Sequence, residues 1–204
     1  MVQAEVGGIP LVFETRPGLF SPAYPDKGTL TMLSVTELRP REKCLDLGCG
    51  YGLAGIYLAK IFGAENVFMV DIDPSAVEAA RKNAKLNGVE GIEVAVSDAF
   101  SGVADEDFTL ILSNPPYHAD FSVAKAFIEG SFAHLAMGGR LVMVVKRVGW
   151  YRNKMRTVFG GVRVTEKKGY AVLEAEKRSS VARKKVPKPP PRKHLLKMAR
   201  SARS

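Results

Sequence analysis

Between residues 43 and 145 the chain repeats one pattern, a short β-rich apolar run followed by a helical stretch. Strand signals fall at 43–47, 66–70, 92–96, 108–112 and 141–145, and helix signals at 53–62, 74–86 and 123–135. Parallel neighbours need a crossover, usually a helix, so this alternation restricts the chain to an α/β fold with its sheet covered on both faces. Pro74 in its first turn and Asn87-Gly88 at its end delimit the second helix, and Gly138-Gly139 is expected to stop the third. After a short helix near 151–159, segments 162–168 and 170–176 are separated only by Gly169. That spacing predicts an antiparallel hairpin at the sheet edge. Upstream, 11–15 and 18–21 flank Arg16-Pro17 as an expected small hairpin. A leading helix is expected over 26–38, with Asp26 or Thr29 at its N-terminus.

A chain of 204 residues, 46% hydrophobic, is large enough for one good core. Its net charge of +9 is concentrated at one end. Eleven of the 30 Lys/Arg and none of the 21 Asp/Glu lie after residue 176, leaving 19 basic against 21 acidic residues before it. The segment also holds Pro187-Lys-Pro-Pro-Pro-Arg192, which favours extended backbone over packing. A disordered basic arm attracted to nucleic acid through counterion release is expected, with a solubilising tail as the plainer account. Three regions follow: a leading segment with a small β-hairpin (1–24), the α/β domain (25–176) and the basic tail (177–204). Cys44 and Cys49 are too few for a disulfide framework and form no C-x-x-C pair. Neither a basic, apolar leader nor an apolar run of about 20 residues appears, so a soluble, cytoplasmic chain is expected.

Where the first strand feeds the first helix stands Asp46-Leu-Gly48-Cys-Gly50-Tyr-Gly52. Alternate glycines let backbone approach a nucleotide-type ligand where a Cβ would collide. Gly50-Tyr-Gly52-Leu-Ala-Gly55 also satisfies the dinucleotide pattern G-x-G-x-x-G. Two carboxylates favour S-adenosylmethionine over NAD. Asp46, before the glycines, suits a cationic amino-acid head group and would repel a pyrophosphate. Asp98, closing the third strand, suits an adenine amino group. Asp71, closing the second strand, can hold ribose hydroxyls under either reading.

Directly after the strand ending at Ser113 comes Asn114-Pro-Pro-Tyr117. Two prolines cannot continue a ladder, so the sheet stops here with an amide and a ring at the carboxyl end of a strand, where open sheets bind ligands. In isolation this is equally a proline turn behind an asparagine.

Together these residues resemble a class I S-adenosylmethionine-dependent methyltransferase over about 25–176. The glycine loop, Asp71, Asp98 and Asn114-Pro-Pro-Tyr117 fall in that family's order. The resemblance implies a Rossmann-like, mostly parallel seven-stranded sheet with a C-terminal antiparallel edge hairpin and helices on both faces. A narrower resemblance is to the small-domain methyltransferases, which include the small-subunit rRNA guanine-N2 enzymes. It is carried by Phe13-Glu-Thr15, Gly18-Leu-Phe20-Ser21, Asp26-Lys-Gly28-Thr29, Asn114-Pro-Pro-Tyr-His118, Val144-Val-Lys-Arg147 and Gly169-Tyr-Ala-Val-Leu173. The bacterial rRNA enzymes usually carry a second, degenerate domain ahead of the catalytic one, which has no counterpart in this sequence.

The resemblance implies cofactor contacts at Thr29, Asp46, Gly48, Gly50, Gly52, Asp71, Ile72, Asp98, Ala99 and Asn114. It implies catalysis at Asn114, Pro115, Pro116 and Tyr117. Substrate contacts are expected at Phe20, Tyr117, His118, Lys146 and Arg147, with packing or a solvated strand end as their plainer accounts. Asn114 and the Pro115 carbonyl are expected to accept the two hydrogens of a planar amine, and Tyr117 to stack on its base. RNA is the expected partner, rRNA above tRNA, with guanine N2 as the target. Adenine N6, a protein glutamine and a non-enzymatic RNA-binding subunit stand as alternatives. His134, Trp150 and Tyr151 are read as packing residues. No metal-ligand spacing and no Ser/His/Asp set appears, so neither a metal nor a covalent intermediate is expected.

Overall fold

The computed structural model describes residues 1–16, 18, 21, 23–104, 106–116 and 121–181. Strands β1 (Val2–Val6) and β2 (Ile9–Phe13) form an antiparallel hairpin closed by Gly7-Gly8. Both glycines have positive φ, 56° and 80°, as two-residue hairpin turns of the primed type require. The hairpin therefore forms one strand earlier than expected. Leu11 and Phe13 pair with Ala4 and Val2, and the expected pairing of 11–15 with 18–21 falls in part outside the described residues.

Helix α1 spans only Lys27–Leu33, capped by the Asp26 carboxylate. It stops short of the expected Leu38, and hydroxyls cap its last carbonyls. Ser34 Oγ donates to Thr31 O and Thr36 Oγ1 to Met32 O, both at 2.8 Å.

The main sheet comprises β3 (Cys44–Leu47), β4 (Val67–Asp71), β5 (Glu93–Val96), β6 (Phe108–Ser113), β7 (Leu135–Val145), β8 (Arg163–Lys167) and β9 (Tyr170–Glu176). The spatial order is β5-β4-β3-β6-β7-β9-β8. Pairings from β5 through β7 are parallel, and β9 runs antiparallel to both its neighbours. The reversed strand thus lies second from the edge. Helices α2 (Leu53–Phe62), α3 (Pro74–Leu86), α4 (Phe121–His134) and α5 (Val148–Phe159) complete the described domain.

Strand side chains alternate between two cores. Cys44, Leu110, Leu112, Val142 and Val144 pack with α1, α2, α3 and the β1–β2 hairpin. Leu45, Leu47, Ile111, Leu141, Met143 and Val145 pack with α4 and α5. Burial on both faces explains why these strands read as unbroken apolar runs.

Gly138-Gly139 does not stop α4. The helix ends at His134, and β7 begins at once. The glycines lie within β7, at the register shift where Leu135 opposes Phe108 and Arg140 opposes Leu110, so they accommodate a bulge. His134 stacks on Phe100 with ring centroids 4.4 Å apart, and Trp150 on Phe121 at 4.6 Å, in keeping with packing roles. Two asparagines one helical turn apart tie the hairpin to α3. Asn87 exchanges hydrogen bonds with the Val12 backbone at 3.1 and 2.8 Å, and Asn83 does so with Glu14 at 2.7 and 3.1 Å. No described helix is long and apolar enough to cross a membrane.

Candidate active site

The carboxyl ends of β3, β4, β5 and β6 surround a cavity of about 320 Å³, at the low end of the range for small-molecule sites. Of the expected residues, Thr29, Asp46, Gly48, Gly50, Asp71, Ile72, Asp98, Ala99, Asn114 and Pro116 all line it. Gly52 does not. It begins α2 at φ 97°, and a Cβ there would meet Ile56 at 3.0 Å and Ala80 at 3.4 Å, so helix entry and close packing require the glycine. Pro115 is buried behind the lining, and Lys146 and Arg147 stand exposed at the end of β7, outside the cavity. Phe20, Tyr117 and His118, and the tail from residue 182 onward, lie outside the described residues.

The glycine loop is held largely by its own backbone and by one carboxylate. Gly48 N–H and Cys49 N–H both donate to Val70 O at 2.9 Å, and Gly50 N–H donates to Asp71 Oδ2 at 2.8 Å. Asp71 Oδ1 accepts from Asp73 N–H at 3.0 Å. Each of these oxygens keeps lone-pair capacity toward the cavity. A Cβ on Gly50 would meet nothing within 4 Å. That glycine answers to its φ of 55° and leaves open space for a ligand.

Asp46 is buried beneath the loop, its Oδ2 accepting from Gly55 N–H at 2.8 Å. Burial pushes its carboxyl up to about 7; the Gly55 hydrogen bond opposes this and the Asp71 charge adds to it. A ligand cation at the cavity would supply the countercharge that this carboxylate is missing. Burial likewise keeps the Cys49 thiol far above its usual range, and so unreactive.

Asn114 closes the site from β6. Its Nδ2 donates to Asp26 Oδ1 at 2.7 Å and to Thr29 Oγ1 at 3.0 Å. Asp26 Oδ1 already accepts from Thr29 N–H, so the amide is oriented with its NH2, not its oxygen, toward that acceptor. Asn114 Oδ1 is left buried with no hydrogen-bond partner among the described residues. An orphaned acceptor at a cavity wall is an unmet demand for a donor. Sequence reasoning placed Asp26 only as a helix cap and missed its hold on Asn114. The one signal was its position three residues before Thr29, within the segment 26–29 that carries the small-domain resemblance.

A glycine loop, strand-end carboxylates and an amide acceptor on this sheet order define a class I methyltransferase, and the cavity fits a nucleoside cofactor with a cationic head. The chain belongs to the methyltransferase small domain family, whose model matches residues 10–174, and it is an S-adenosylmethionine-dependent methyltransferase. It is 34% identical over 171 residues to the uncharacterized protein YbxB of Bacillus subtilis, covering 81% of this chain and 85% of that protein. It is 33% identical over 163 residues to ribosomal RNA small subunit methyltransferase C of Serratia proteamaculans, covering 78% of this chain and 46% of that one. The 16S rRNA N2 G1207 methyltransferase of T. thermophilus, in complex with AdoMet and guanosine, superposes with a TM-score of 0.78 at 28% identity. That match covers 86% of this chain and 50% of the other. This chain spans about half the length of the named rRNA methyltransferases that it matches.

Proposed function

We propose that this protein methylates the exocyclic N2 amine of a guanine in small-subunit ribosomal RNA. The observation that carries the amine chemistry is Asn114 Oδ1, buried and unpartnered while its own NH2 is held by Asp26 and Thr29. An aromatic amine is a weak nucleophile because its lone pair is delocalised into the ring. Asn114 Oδ1 accepts one amine hydrogen and the Pro115 carbonyl the other, which pyramidalises the nitrogen and takes its lone pair out of conjugation with the ring. Alignment by fixed dipoles supplies most of the rate gain, and the amine proton released leaves to water. Bound against Asp46, Gly50, Asp71 and Asp98, S-adenosylmethionine supplies an electrophilic sulfonium methyl.

In this reading Tyr117 supplies the stacking ring for the target base, a contact worth about 1–3 kcal/mol, and Phe20 and His118 are further candidates for base contact. Lys146 and Arg147 meet RNA phosphate, and the basic arm 177–204 adds sequence-independent attraction. The rRNA assignment draws on the named rRNA methyltransferases among the relatives; guanine and its N2 draw on the structural neighbour.

The test is transfer of tritiated methyl from S-adenosylmethionine onto 16S rRNA and 30S subunits, set against ribosomal-protein and release-factor fractions. N2-methylguanosine in the digested RNA is expected. Label in methyladenosine, or in protein glutamine, would overturn the assignment.

A further inference from the structure

Strand register carries the active-site end of the sheet out to its far edge. Ser113 opposes Met143, Val145 opposes Ala171, and Tyr170 opposes Lys167. One step past the last β7–β9 pair, that register brings Lys146 to Tyr170, which faces Lys167, on the carboxyl side of the Ser113–Met143 pair. At about 4.8 Å per strand, β8 lies about 14 Å from β6, the strand that leads into Asn114.

Lys146, Arg147, Lys167 and Lys168 are all exposed at this end. Lys146, Lys167 and Lys168 line a shallow cavity of about 360 Å³ in which Glu166 is the one carboxylate among the described lining residues. Lys146 Nζ stands 5.8 Å from the centroid of the Tyr170 ring, and Lys167 Nζ donates to Ser34 Oγ at 3.1 Å. The first contact keeps the Lys146 amine beside Tyr170, and the second ties the Lys167 amine to the C-cap of α1. Lys168 forms the hairpin tip with Gly169, at φ 51° and 76°. The left-handed region costs a side-chain residue about 1–2 kcal/mol. A lysine is thus kept where glycine or asparagine serves the turn better, and its amine is displayed toward solvent.

We infer that this hairpin tip is a phosphate track for the RNA flanking the methylated base, an inference that rests on the proposed RNA substrate. Three lysines against one carboxylate in this lining, on the same end of the sheet as Asn114, complement a polyanion rather than a neutral or cationic partner. The span of about 14 Å from β6 to β8 accepts the backbone a few nucleotides from the target. Lysine ammoniums act there as point charges without base preference.

The test compares the full chain with its Lys167→Ala/Lys168→Ala and Lys167→Arg/Lys168→Arg forms. KM for a 16S rRNA transcript is followed against salt, with guanosine as a small substrate. The alanine form is expected to raise the RNA KM about tenfold at low salt and to flatten the slope of log KM against log salt by about 1.4, at about 0.7 per phosphate contact. The arginine form retains both, and guanosine turnover is unchanged in either. RNA methylation with an unaltered slope overturns the track alone. Absence of methyl transfer from the wild-type chain to any RNA overturns the proposed function and the track with it.

Discussion

Asp26 Oδ1 accepts from Asn114 Nδ2 at 2.7 Å across 88 positions of sequence, and the same oxygen accepts from Thr29 N–H at 2.6 Å. One carboxylate thus caps α1 and orients the amide that closes the site. Asp26→Ala removes both contacts. It is expected to lower kcat about 100-fold, the scale of one lost preorganised group, and to lower stability by about 1 kcal/mol through the lost cap. Asp26→Asn keeps an acceptor at Oδ1 and should stay within about tenfold of wild type in kcat. Steady-state kinetics and thermal melts of the two variants check this.

Asn114→Ala removes the unpartnered acceptor itself. Turnover is expected to fall by about 10²–10³ or more, with cofactor affinity nearly intact by calorimetry. Near-normal turnover would refute the amine-aiming role.

Asp46 yields a pH signature. Burial pushes its carboxyl from the ordinary carboxylate range, about 4, up to about 7 in the folded protein, so between those values the native state binds more protons than the unfolded one. This group therefore lowers stability as pH rises from about 4 to about 7. Asp46→Asn should remove that slope and raise the Tm of the cofactor-free protein by several degrees at pH 8. Cofactor affinity in the wild type should rise with pH through about 7, because the ionised form meets the cationic head group, and should be flat in the variant.

Glu42 and Arg140 form a fully buried ion pair at 2.5 Å, at the opposite end of the sheet from the cavity. Removing one partner of such a pair costs about 3–5 kcal/mol because the other charge is stranded. Glu42→Ala is expected to lower Tm by about 10 °C or more. A double replacement by apolar residues, Glu42→Leu/Arg140→Met, should recover most of it, as read by denaturant melts.

At the β7 bulge, a Cβ on Gly139 would come within 2.7 Å of Phe108 O and 2.9 Å of Ala136 O, whereas one on Gly138 would meet nothing within 4 Å. Gly139→Ala should therefore destabilise by about 1–3 kcal/mol through overpacking. Gly138→Ala carries only the penalty of its positive φ, about 1–2 kcal/mol. Chemical denaturation should rank the two in that order.

Pro74–Leu86 and Tyr170–Glu176 match the sequence reading residue for residue, and Leu53–Phe62 does as well. Each is set by local chemistry: a proline start, a glycine turn, an apolar face of one period. The glycine loop and strand-end carboxylates were legible for the same reason, since strand ends are marked in sequence and open sheets bind ligands there. Tertiary structure alone decided the remainder. Whether Gly138-Gly139 ends a helix or bulges a strand depends on Phe108, about 30 residues away. Whether Asp26 merely caps α1 depends on Asn114, and whether Arg140 is buried depends on Glu42, 98 positions distant. The alignment of Lys146, Tyr170 and Lys167 exists only through the register of β7, β9 and β8. Sequence carries what neighbours along the chain can enforce by backbone geometry and periodicity; partnerships between distant charges and amides become visible only when the sheet aligns them.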